Sequence, residues 1–146
     1  MSTAYEDDVI AWSERQAALL RARRWDLLDL ETIAEEIEDV GKSEKRALQS
    51  RMAVLLAHLL KWKCQPGRRS HSWRNTIREQ RAAILIDLKK CPSLKTLLTD
   101  PDWLEQTYHL AKARTYADTE QQELEDLPER LPWTVSDALS AGFLPE

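Results

Sequence analysis

Between Lys61 and Arg81 the chain carries Lys61, Lys63, Arg68, Arg69, Arg74, Arg78 and Arg81 against a single acid, Glu79. Trp62 and Trp73 stand among these cations, and Pro66-Gly67 divides the run. Such residues do anion chemistry: Lys and Arg neutralise phosphates, and an indole offers a face on which a base stacks. Lys63, Arg68, Arg69, Trp73 and Arg74 are therefore candidate contacts to an anion or a nucleic acid. Ser72, as the cap of the following helix, would add backbone N–H donors. The competing reading makes both tryptophans core anchors at helix ends and pairs the cations with acids of the same chain. Charge along the sequence favours it. Residues 1–60 carry −4, residues 61–99 carry +8 and residues 100–146 carry −8, for −4 overall. Counter-charges are thus built in, and no helix-turn-helix or RNA-module pattern accompanies the basic run.

A second constellation lies just upstream. Glu44, Leu48, Arg51, Leu55, His58 and Trp62 fall at alternating spacings of four and three, which places them on one helical stripe. Within it Glu44, Arg51 and His58 recur every seven residues. Buried polar groups need partners, because an isolated buried charge costs several kcal/mol. Arg78, Glu79 and Glu36 are the available cross-partners. Glu44, Arg51, His58, Trp62, Arg78 and Glu79 are accordingly a candidate polar network or small-ligand pocket, with a structural salt network between helices as the preferred reading. A metal site has little behind it. Bundle di-metal centres need paired Glu-x-x-His motifs, and His58, His71 and His109 are scattered over different segments.

Nucleophilic catalysis lacks support as well. There is no Gly-x-Ser-x-Gly elbow and no glycine-rich phosphate loop. Cys64 has Lys61, Lys63 and Arg68 nearby to lower its pKa, but a base for it would have to be His58 or His71, brought there by the fold alone. Cys64 and Cys91 are the only cysteines and form no CxxC pair, so they read as free thiols in a reducing compartment. No catalytic residue, no metal and no cofactor is expected.

The elements that must position these residues read as helices. Three glycines and abundant Leu, Ala, Glu, Arg and Lys predict an all-α chain of 146 residues, folded as one domain over 1–146. The spacing predicts a first helix from about Tyr5 to Ala22. A second follows an Asp26 or Asp29 cap, carries Leu30, Ile33, Ile37 and Val40 on one face, and ends at Gly41. Ser43 caps a third helix to about Lys63, and Ser70 or Ser72 starts a fourth that runs to about Lys90. Ser93 caps a short helix through Leu98. Asp100-Pro101 opens a helix reaching about Gln122, and Thr134 with Asp137 resembles a capping box for a last short helix ended by Gly142. The architecture expected is an irregular bundle of about four longer helices plus short ones. No apolar run approaches the ~20 residues that cross a bilayer, and the acidic amino terminus has no apolar signal core. The chain therefore reads as soluble and cytoplasmic, with no membrane partner.

Several stretches resemble a bacterial family. They are residues 30–46, His58-Leu59-Leu60-Lys61-Trp62, Gln65-Pro66, Arg69-Ser70-His71-Ser72-Trp73-Arg74, Thr76-Ile77-Arg78-Glu79-Gln80-Arg81 and the closing Phe143-Leu144-Pro145-Glu146. Together they are similar to the domain-of-unknown-function family numbered 29, common in cyanobacteria, over nearly the whole chain. The resemblance implies a small, all-helical, stand-alone domain and carries over no catalytic residue. The function expected is a non-enzymatic binding or interaction module, with an unknown protein or a second copy as partner. The alternatives are a nucleic-acid-associated protein using Lys61 to Arg81, and an enzyme or ligand binder built around Glu44, Arg51 and His58.

Overall fold

A computed structural model describes residues 4–119 and 127–146. The chain is all-α. Its helices are α1 (Val9–Arg21), α2 (Leu30–Cys64), α3 (His71–Lys90), α4 (Pro101–Asp118) and α5 (Val135–Leu139), with 3-10 turns at Trp25–Leu27, Pro66–Arg68 and Pro92–Thr99. Four longer helices with short ones attached is the architecture that the sequence leads one to expect. The caps agree too. Ser70 accepts from Trp73 N at 3.2 Å, Asp100 accepts from Asp102 N at 3.0 Å, and Thr134 accepts from Asp137 N at 3.0 Å. Residues 120–122 of the expected fourth-to-last-turn extension of α4 lie outside the described residues.

Three boundaries differ: α1 begins at Val9 behind an Asp8 cap and not near Tyr5, the 3-10 stretch begins at Pro92 with no side-chain cap from Ser93, and α2 passes through Gly41. The break expected at Gly41 is absent, and α2 runs unbroken for 35 residues. Glycine permits the left-handed conformation that ends a helix but does not demand it, and positive φ among the glycines occurs at Gly142. No proline follows Gly41 to remove a donor. A glycine in a helix interior costs only about 1 kcal/mol, less than giving up the hydrogen bonds of a broken turn.

The chain divides into two compact units, Met1–Glu44 and Lys45–Glu146. In the first, Asp8 caps α1 by accepting from Ala11 N at 3.0 Å. Asp29 then ties α1 to the start of α2. Its Oδ2 accepts from the Trp12 indole at 2.9 Å, and its backbone N–H donates to Gln16 Oε1 at 2.9 Å. Tyr5 sets its ring edge-on to Trp12 and hydrogen-bonds Glu36, which raises the phenol's pKa. Tyr5 meets Glu36 while Trp12 and Gln16 meet Asp29, so the two helices run antiparallel. The turn between them is tight. Arg24 N donates to Leu19 O and Arg23 N to Leu20 O, a Schellman closure in which Arg23 takes φ 57° where glycine is the usual residue.

The core of the second unit is built on the latter half of α2. Leu48, Leu55, Leu56, Leu59 and Leu60 are fully buried there against Ile77 and Ile84 of α3 and Trp103, Tyr108 and Ala111 of α4. Two threonines face this core without penalty because each hydroxyl donates to its own helix: Thr107 to Trp103 O at 2.7 Å and Thr115 to Ala111 O at 2.8 Å. Gln49 donates to Thr107 Oγ1 at 3.1 Å, linking α2 to α4. The Tyr108 hydroxyl donates to Pro128 O at 2.6 Å, and burial pushes its pKa to about 12.

Candidate functional site

The basic run spends much of its charge inside the fold. Lys61 is buried, with Nζ 2.7 Å from Asp118 Oδ2 and 5.9 Å from the Trp73 ring centre. Trp62 is buried, with the guanidinium groups of Arg69 and Arg74 at 5.0 Å and 5.4 Å from its ring centre, and Arg69 Nε also donates to Trp62 O at 2.7 Å. Lys63, exposed on the last turn of α2, reaches to 6.0 Å from the Trp133 ring. Arg68 lies exposed in the 3-10 turn, and Trp73 is half-buried in the first turn of α3. Trp62 thus anchors the core and has no free face for a base. Among the described residues the segment's internal pairing includes the Asp118 carboxylate, indole faces and carbonyls. Arginine suits such partners because its planar, weakly hydrated cation stacks on aromatic rings.

Of the heptad residues Arg51 and His58 are half-buried on α2, each with a separate partner. Arg51 Nε lies 3.0 Å from Asp87 Oδ2 on α3, but its N–H does not point at that oxygen, so charge attraction and not a hydrogen bond joins them. His58 Nδ1 donates to Val54 O at 2.9 Å, one turn back on its own helix. Burial lowers the pKa of His58, and the Val54 carbonyl only partly opposes this. Arg78 and Glu79 are exposed on α3 and make no ion pair with Arg51 or His58, and Glu44 is exposed in the first unit. Among the described residues no group of three or more His, Cys, Asp or Glu side chains is placed to hold a metal ion. No helix among them is long and apolar enough to cross a membrane.

Two surfaces stand out that the sequence pattern did not single out. The first is an apolar groove of about 410 Å³ on the first unit, lined by Val9, Ala17, Leu20, Ile33, Ile37 and Val40. Leu30, Ile37 and Val40, the expected inner face of the second helix, are 65%, 67% and 67% exposed. Their spacing was legible as amphipathic; their exposure was not. The second is a cleft of about 420 Å³ between α3 and the C-terminal segment, lined mainly by Ile77, Leu85, Leu139 and Leu144 with Arg74 and Arg78 beside them. Its far wall is held by Arg81, whose Nε donates to Ala138 O at 2.8 Å and whose Nη2 donates to Phe143 O. Arg74, Arg78 and Arg81 stand at four- and three-residue spacing, which is the signal that would have placed them on one face of α3.

The family model described as Domain of unknown function DUF29 matches residues 4–144, and the chain belongs to that family. No curated protein and no solved structure matches it.

Proposed function

We propose that this DUF29 chain is a non-enzymatic interaction module that pairs the apolar face of its first unit with the same face of a second copy. The observation that carries the reading is that face: Val9, Leu20, Leu30, Ile37 and Val40 line up on two antiparallel helices and remain exposed. Contiguous apolar surface of this kind marks an interface rather than a solvated face. Two helices alone cannot enclose a core, whereas two such pairs make a four-helix bundle.

Charge selects a second copy as the occupant. Glu6, Asp7 and Asp8 precede α1 at the end where Tyr5 meets Glu36, beside Glu35 and Asp39. Arg21, Arg23 and Arg24 stand at the opposite end with Asp26, Asp29 and Glu31, and Arg24 pairs with Asp26 at 3.2 Å, so that end is near neutral. A two-fold axis across the helices lays the acidic end of one copy on this arginine-bearing end of the other and keeps the two acidic ends apart. The nucleic-acid alternative has less behind it, since Trp62 is buried and Lys61 is neutralised by Asp118.

Sedimentation over a concentration series tests the reading. A reversible dimer is expected, weakened by salt and dissociated by Ile37→Asp or Val40→Asp. A monomer at every concentration, or a dimer indifferent to both substitutions, overturns it.

A further inference from the structure

We infer that the cleft between α3 and the C-terminal segment is a binding site for a small organic acid with an apolar body, such as a medium-chain carboxylate. Its volume of about 420 Å³ falls within the roughly 300–1,000 Å³ typical of ligand pockets. The walls are almost wholly apolar: Ile77 is buried at the floor, Leu139 and Leu144 close one side, and Leu85 remains half exposed on the other. A methylene chain lying there would remove Leu85 from water. It would meet no polar group that needed a partner within the cleft.

The charged end of the ligand follows from the arginines. Three border the cleft, but they are not equivalent. Arg81 is committed to the wall, since its donors already serve the carbonyls of Ala138 and Phe143. Arg74 and Arg78, one helical turn apart and both exposed, make no ion pair with any described residue. Arg74 has its guanidinium 5.4 Å from the Trp62 ring centre, a contact with the ring that does not consume its N–H donors. Two unpaired guanidiniums beside an apolar cleft, in a chain with an excess of acids, match one carboxylate: the guanidinium fork donates to both of its oxygens. Gly142, at φ 80°, makes the turn that returns Leu144 over the cleft.

The cleft lies within the second unit and its occupancy does not depend on pairing through the first. Calorimetric titration of the full chain with sodium decanoate, with decanol as the uncharged control, tests the assignment. Saturable one-to-one binding of decanoate is expected, at least about tenfold weaker in the Arg74→Gln/Arg78→Gln double variant, and lost in Leu85→Glu. The Ile37→Asp variant, altered only on the first unit, is expected to bind as the parent does. Circular dichroism melting of each variant checks that it folds. Absence of saturable decanoate binding overturns the inference. So does equal affinity in the double variant, equal affinity for decanol, or loss of binding in Ile37→Asp with retention in Leu85→Glu.

Discussion

Arg81 Nε donates to the carbonyl oxygen of Ala138 at 2.8 Å, across 57 residues of sequence. The same guanidinium donates to Phe143 O, so a single buried cation fixes both the end of α5 and the segment after it onto α3. Burial lowers its pKa, which raises the value of these two acceptors to a group that stays charged in any accessible pH.

Replacing Arg81 by Gln removes the fork and leaves both carbonyls without their donor. Hydrogen bonds to a charged group contribute about 1.5–3 kcal/mol each, and with two of them removed the variant is expected to lose about 3–6 kcal/mol of unfolding free energy. Urea denaturation measures this. Trp133 fluorescence is expected to shift as well, since its edge-to-face partner Phe143 loses its tether.

His58 gives a pH dependence with a definite sign. Burial holds its pKa below the ordinary value of 6.5, so the unfolded chain takes up a proton that the folded chain resists. Stability from this group is full above about pH 6.5 and is lost as pH falls from there through the folded value. In His58→Gln that part of the acid decline disappears. Thermal melts of both proteins between neutral and mildly acid pH read the difference, and a decline that is unchanged in the variant would contradict it.

Two backbone positions offer opposite substitutions with the same outcome. Arg23 occupies a left-handed conformation at φ 57°, which costs an L-residue roughly 1–2 kcal/mol. Gly41 lies in the interior of α2 without positive φ, and a Cβ added there meets nothing within 4 Å. Arg23→Gly and Gly41→Ala are each expected to stabilise the chain by about 0.5–1 kcal/mol. Denaturant midpoints test both, and their effects are expected to add.

Local signals were readable wherever a single residue decides the backbone. Ser70, Asp100 and Thr134 cap the helices that their sequence context announces, because a side-chain oxygen three residues before an unsatisfied N–H has few other uses. Gly41 was misleading for the complementary reason: glycine is compatible with a helix end and with a helix interior, and only the neighbouring hydrogen bonds choose. The Schellman turn at Arg23 gave no sequence signal, since an arginine there advertises nothing.

The candidate site divides along the same line. Spacing placed Arg51 and His58 on one stripe, but their partners, Asp87 and the Val54 carbonyl, depend on which helices meet and at what depth. Spacing likewise grouped Leu30, Ile37 and Val40, yet periodicity reports the direction in which side chains point and not whether anything stands opposite them.

By itself, then, the amino-acid order determined that the chain is all-helical, where most helices begin, and that its charge is segregated into a basic middle and acidic ends. Only the tertiary structure decided which cations are spent on Trp62, Asp118 and the Ala138 carbonyl, which leaves Arg74 and Arg78 beside an apolar cleft. The physical reason is range. Caps and periodicity act over three or four residues, whereas the pairing of a charge is settled by groups brought within a few ångströms from further along the chain, 57 residues away for both Lys61 with Asp118 and Arg81 with Ala138.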